Sequence, residues 1–184
     1  KVGLFDIDGV MRGKYMHRDK FLSALEGGFG FCDVVLGWDS SDQLYDNVSL
    51  TGWHTGYGDA KVQIIPQSCR ELPLEEGTLL FLAEFAPPAE AVCPRGLLRR
   101  VLQRGQEMGL SATAACEFEF FLFEETPHSA REKHFRSLKN ISPGFFGYSM
   151  LRSSVFSEFY EDLLQLSVAM DFPLEGLHTE TGPG

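Results

Sequence analysis

The 184-residue sequence contains no run of about 18 uncharged apolar residues, which excludes a membrane-spanning helix. Positive charge is scarce: 16 Lys and Arg face 26 Asp and Glu, a formal net charge of −10. That balance argues against nucleic acid as the main partner, since phosphate binding requires clustered Lys and Arg. Cysteine is sparse too, and Cys32, Cys69, Cys93 and Cys116 lie 37, 24 and 23 residues apart. With no C-x-x-C pair a zinc site is disfavoured; reduced, scattered thiols in a cytoplasmic protein are expected. No charged-then-apolar leader is visible at Lys1-Val2-Gly3. What is present is ordinary: 43% hydrophobic and 23% charged residues, which excludes wholesale disorder. The length suits one domain or two small ones. The carboxylate surplus suits either plain solubility or a divalent cation.

The first half of the chain reads as short strands. Residues 2–7 are apolar with strand character, Asp8-Gly9 is a turn dipeptide, and residues 12–17 return as a second strand. Asp19 is expected to cap a short helix carrying Phe21, Leu22 and Leu25, which Gly27-Gly28 stops. Further strands are expected at 31–38, 61–65 and 78–85. Five strands and one helix predict a compact α+β module with a mixed sheet. After Pro87-Pro88 the texture changes. Pro94 opens a helix whose stripe is Leu97, Leu98, Val101 and Leu102, and Gly109 closes it. A long aromatic strand is expected at 111–123, then a charged loop at 124–147, whose stretch from Arg131 to Arg136 reads as a solvated excursion. A helix at 154–170 and a final strand from Leu174 complete the order. The chain stops at Thr181-Gly182-Pro183-Gly184 in the middle of a turn, as expected of a piece of something larger.

Chemistry concentrates on two of these strands. Glu117 and Glu119 alternate with Phe118 and Phe120, so both carboxylates share one face. Carboxylates ~7 Å apart repel unless something neutralises them. A solvated edge strand is one reading, although the segment is apolar on both sides. On the last strand Gly176, His178 and Glu180 share a face. If the two strands are neighbours, Glu117, Glu119, His178 and Glu180 converge as three carboxylates and an imidazole. That donor set suits magnesium or manganese rather than zinc. A plain surface hydrogen bond between His178 and Glu180 is the alternative.

The strand Glu117-Phe118-Glu119-Phe120-Phe121-Leu122-Phe123 and the segment His178-Thr179-Glu180-Thr181-Gly182-Pro183-Gly184 together resemble the glutamine synthetase family. There an E-x-E-F-F-L-F strand and an H-x-E-x-x-P-G segment supply metal ligands. Arg12-Gly13-Lys14 resembles the family's early R-G-K, Pro94-Arg95 its P-R, and Gly147-Tyr148 its G-Y. The stretch from Tyr45 to Trp53 lies over the family's F-D-G-S-S-I-G-G-W loop without a gap.

The resemblance implies a β-grasp domain over residues 1–88 and the first part of a catalytic α/β domain over residues 89–184. It implies an ATP-dependent ligase that joins ammonia or a primary amine to the γ-carboxylate of glutamate through γ-glutamyl phosphate. By the same resemblance, Glu119 and Glu180 bind one Mg2+ or Mn2+, Glu117 belongs to a second, and His178 lies near the nucleotide phosphates. Asp46 and Ser49 match loop positions that form the ammonium subsite of a neighbouring subunit. The assembly implied is a homo-oligomer of paired rings, a dodecamer. Two departures bear on the acceptor. Asn47 and Val48 replace the loop's Gly and Ser, and Gly37-Trp38-Asp39 is similar to the branch that uses larger amines such as polyamines. The competing reading is a member of the same fold that has lost catalysis and serves a structural or regulatory role. A third, an unrelated magnesium-binding module, conflicts with the abrupt end at Gly184.

Overall fold

Strands with one apolar face dominate the first half of the chain. The computed structural model describes residues 1–182, so Pro183 and Gly184, the end of the H-x-E-x-x-P-G segment, lie outside the described residues. The chain divides into two units, Lys1–Thr113 and Ala114–Gly184.

In the first unit, β1 (Val2–Phe5), β2 (Met11–Lys14), β3 (Phe29–Cys32), β4 (Asp59–Glu71) and β5 (Leu79–Phe85) form one sheet in the order β2-β1-β5-β4-β3. β1 runs parallel to β5 and every other pairing is antiparallel, so the sheet is mixed and the unit α+β. Alternate residues of three neighbouring strands point the same way: Val2 and Leu4, Val62 and Ile64, Ala83 and Phe85 are all buried. Helix α1 (Arg18–Gly27) lays Ala24 against this face, and Val35, Leu36, Ala89 and Cys93 complete the core. Removing a side chain such as Leu4 or Phe85 from water contributes ~1.5–3 kcal/mol.

The expected hairpin, helix and five strands are present, with shifted boundaries. His17, not Asp19, caps α1, and Gly28 ends it at φ 73° with its N–H on the Ala24 carbonyl. The expected strand at 31–38 stops at Cys32, because Asp33–Leu36 winds into a 3-10 turn. Val35 and Leu36 are consecutive and both buried, which an alternating strand cannot achieve. β4 is longer than expected. Its register against β5 shifts between Ile65 and Arg70, next to Pro66, which has no N–H to give the ladder. Ser68 mends the break: its hydroxyl donates to the Ile65 carbonyl and accepts from the Leu82 N–H.

Helix α2 (Pro94–Glu107) forms as predicted, with proline at its first turn. Gly96 lies so close to Glu90 that a Cβ would come within 2.3 Å of its carbonyl oxygen. Arg95 and Arg99 then pair with Glu84 on β5.

The second unit holds three helices, α3 (Pro127–Glu132), α4 (Met150–Val155) and α5 (Ser157–Ala169). The single helix expected at 154–170 is therefore two, divided at Phe156. Neither expected strand forms. Residues 111–123 carry the aromatic run, but a strand exists only where a neighbour accepts its hydrogen bonds, and here only Phe123 bridges, to Asn140. The segment from Leu174 is likewise irregular.

The loop at 124–147 contains α3, capped by Thr126 and Ser129 reciprocally, and its 131–136 stretch is exposed as expected. Glu125 anchors the loop. Its carboxylate accepts from Lys133 Nζ at 2.5 Å, Ser129 Oγ at 2.6 Å and the Lys139 N–H at 2.9 Å. Those bonds, Lys133 first, hold its pKa down at about 2 against an ordinary 4.5. A depressed carboxylate contributes stability that is complete above the ordinary value and is lost as pH falls through the folded one. Pepsin cleavage within 124–140 should therefore rise steeply from about pH 4.5 to 2. Glu125→Gln should flatten that dependence and leave the loop open to a neutral protease as well.

Candidate functional site

Each unit carries part of the expected site. In the first, residues 37–58 leave the sheet as a long excursion between the 3-10 turn and β4. Its first part folds back on itself: Trp38 bridges Leu44, and the Tyr45 N–H donates to the Gly37 carbonyl at 2.9 Å. Its later part is pinned by Thr51, 1% exposed, whose hydroxyl donates to Asp33 at 2.5 Å. The His54 ring nitrogen Nε2 lies 2.9 Å from the Ser49 carbonyl, and Trp53, 84% exposed, meets Tyr57 edge to face. Asp46 and Ser49 are both exposed on this excursion.

In the second unit the 146–149 turn grips the 178–182 segment. The Tyr148 N–H donates to the Thr179 carbonyl at 2.7 Å, and the Thr179 hydroxyl donates to the Phe146 carbonyl at 2.9 Å. Tyr148 sits at φ 58°, a left-handed conformation that costs a residue with a Cβ free energy. The strained backbone delivers its ring flat onto His178, with centroids 4.6 Å apart and planes 10° from parallel. His178 Nε2 in turn lies 2.9 Å from Glu180 Oε1. The Glu180 charge and its hydrogen bond to the Tyr148 hydroxyl raise the phenol's pKa above 10.0, and Glu117 adds to the rise. Glu180 itself is held low, first by its bond to His178 and also by the Thr181 N–H.

So His178 and Glu180 meet at Tyr148, and Glu117 acts on the same phenol through its charge. Glu119 is exposed nearby in sequence, and among the described residues no basic side chain pairs with Glu117 or Glu119. The donor chemistry fits a hard divalent ion: carboxylates with one imidazole and no thiolate. Among the described residues no three acidic, His or Cys side chains are gathered around a single point. Sequence reasoning used Tyr148 only as a motif marker. Its role depends on a left-handed backbone and a tertiary stack, which no spacing signals.

Residues 91–184 match the family model described as glutamine synthetase, catalytic domain. The chain belongs to that family. It is 44% identical over 188 residues to type-1 glutamine synthetase 2 of Dictyostelium discoideum, covering 100% of this chain and 36% of that protein. It is 31% identical over 191 residues to the glutamate–isopropylamine ligase of a Pseudomonas species, covering 100% and 41%. It is 29% identical over 184 residues to gamma-glutamylethanolamide synthetase GlnA4 of Streptomyces coelicolor, covering 97% and 40%. The chain thus spans about two fifths of the length of the curated relatives it matches. A solved structure described as a GmaS/ADP complex superposes with a TM-score of 0.65 at 14% identity, over 100% of this chain and 39% of that one. At that identity the likeness bears on the fold. Among the described residues no helix is long and apolar enough to cross a membrane.

The tyrosine-centred cluster is testable without an activity. Glu180→Gln removes the charge that opposes the phenolate, so the Tyr148 phenol should return toward 10.0. Phenolate absorbance, titrated against a Tyr148→Phe reference, reads the shift; an unmoved titration would place Glu180 away from the hydroxyl.

Proposed function

We propose that the full-length protein is an ATP-dependent ligase joining an amine to the γ-carboxylate of glutamate. The observation that carries this reading is the stacked Tyr148–His178 pair bonded to Glu180 and flanked by Glu117, in a chain of the glutamine synthetase family. The names of two relatives favour an organic amine over ammonia, being those of a glutamate–isopropylamine ligase and a gamma-glutamylethanolamide synthetase. Asn47 and Val48 in the acceptor loop point the same way.

On this reading residues 1–88 are a β-grasp domain and residues 89–184 open the catalytic domain. Glu119 and Glu180 hold one divalent ion, and Glu117 the second; His178 lies near the ATP phosphates. Bound Mg2+ or Mn2+ would neutralise the charge of the transferring phosphoryl group and hold donor and acceptor in line. The γ-carboxylate oxygen of glutamate takes the γ-phosphoryl group, and ADP leaves. The amine nitrogen then attacks the carbonyl carbon of γ-glutamyl phosphate, inorganic phosphate leaves, and Asp46 takes the proton that the nitrogen sheds. Ser49 helps hold the ammonium form. Asp46 and Ser49 serve the site of a neighbouring subunit, in a ring whose heterologous contacts close on themselves. The site would be cytoplasmic, in keeping with four free cysteines.

Phosphate release from ATP, with glutamate and a panel of amines as co-substrates, tests the reading. A primary amine should serve at least as well as ammonia, and Glu119→Ala should abolish turnover while folding is retained, because the empty carboxylates repel. Full activity in excess chelator would overturn the metal roles, and turnover with ammonia alone would overturn the acceptor.

A further inference from the structure

The loop that carries Asp46 owes its place to a residue far back in the sequence. Arg12, on β2, donates from Nε to Asp6 at 2.7 Å and from Nη1 to Asp42 at 2.7 Å. Its guanidinium lies 4.8 Å over the Trp38 ring. Asp6 is 0% exposed and also accepts from the Asp8 and Val10 N–H groups, so one end of this clamp cannot move. The other end is the loop. Asp42 stands there at φ 62°, a conformation that its own backbone does not favour.

Within the loop the backbone is internally bonded. Asp39 accepts from the Ser41 and Gln43 N–H groups, and its own N–H donates to the Gln43 carbonyl. Asp8, next to the fixed Asp6, accepts from the Ser40 N–H at 2.8 Å. The piece from 38 to 45 is therefore a single knot that Arg12 and Asp8 fasten to the β1–β2 turn. Beyond it, Ser49 is held through His54 and Thr51 through Asp33. Among the described residues, Asp46, Asn47 and Val48 make no hydrogen bond of their own. Their place is inherited from the two ends.

We propose that Arg12, acting through Asp42 and Trp38, is a positioning residue for the acceptor amine, because it fixes the knot from which Asp46 is suspended. This rests on the reading that Asp46 meets the acceptor. It goes beyond that reading by assigning a function to the arginine of Arg12-Gly13-Lys14.

Arg12→Ala strands a buried carboxylate and is a poor test, since unfolding alone would silence it. Asp42 is 56% exposed, and Asp42→Ala cuts the link to the loop while leaving Asp6 paired; Asp42→Glu, no better suited than Ala to φ 62°, controls for the backbone. In the full-length protein this variant should raise the KM for the amine about two- to five-fold, the range a half-exposed ion pair supplies. The KM for glutamate and for ATP should stay within error, and kcat should fall by no more than the same factor, since Asp46 also takes the proton. Asp42→Glu should restore the amine KM, and hydrogen exchange of the 38–47 peptide should quicken in Asp42→Ala. Faster exchange with an unmoved amine KM would overturn the proposal, as would unmoved exchange. A rise in all three KM values would reduce Arg12 to general stability. If the wild type forms no γ-glutamyl product from any amine, the functional reading itself fails, and this proposal falls with it.

Discussion

A buried carboxylate fixes the order of events in the first unit. Asp6 has no exposure and would be costly as a bare charge, so it must find donors, and it finds three: two turn N–H groups and Arg12. The two N–H bonds shape the chain reversal between β1 and β2. The Arg12 bond decides which way the β2 side chains face. Since residues two apart on a strand share a face, Lys14 follows Arg12, and its ammonium reaches the Gly30 carbonyl and lies over the rings of Phe29 and Phe31 on β3. β2 and β3 are the two edges of the sheet. Gly13 faces the other way, where a Cβ would stand 2.4 Å from the Val2 carbonyl oxygen. Arg12-Gly13-Lys14 is thus a structural unit: an anchor, a close approach and a clasp across the curled sheet.

The second unit relies on a different device. Its 178–182 segment has no ladder to hold it, and the 146–149 turn takes that part with three hydrogen bonds shared with Thr179. Gly147 permits this closeness, because a Cβ there would stand 3.0 Å from the Thr181 hydroxyl. Tyr148 then bears the strain of a left-handed backbone. A strained residue persists only where its surroundings over-determine it, and such positions cluster at functional sites. Here the surroundings are the three bonds shared with Thr179 and the stack on His178.

What could be read from the sequence follows from how local each signal is. Alternation at Val2 and Leu4, Val62 and Ile64, Ala83 and Phe85 depends on one strand at a time, and the sheet it predicts is present. The stripe and proline of α2 are equally local. The 3-10 turn at Asp33–Leu36 was invisible because Val and Leu suit a strand and a buried turn alike. The aromatic run at 111–123 has every strand propensity and still forms no strand, because pairing belongs to two segments and propensity to one. In the candidate site, the His178–Glu180 pairing sits on a two-residue spacing and was legible. Tyr148, Asp6 and Arg12 were not legible as partners, since each acts across the fold or through a backbone angle.

The pattern of ion pairs separates structural carboxylates from the others. Asp6, Glu75, Glu84, Glu90, Glu124 and Glu125 each have a Lys or Arg within reach, so their charge is neutralised inside the protein. Glu180 pairs with an imidazole and with the Tyr148 hydroxyl, and Glu117 acts on that phenol through its charge alone. The one hydrogen bond that this hydroxyl donates goes to Glu180, and Glu117 takes none from it. Their mutual repulsion is softened by water while both remain open to solvent. It grows as surrounding protein lowers the local dielectric, and uptake of a proton or of a cation relieves it.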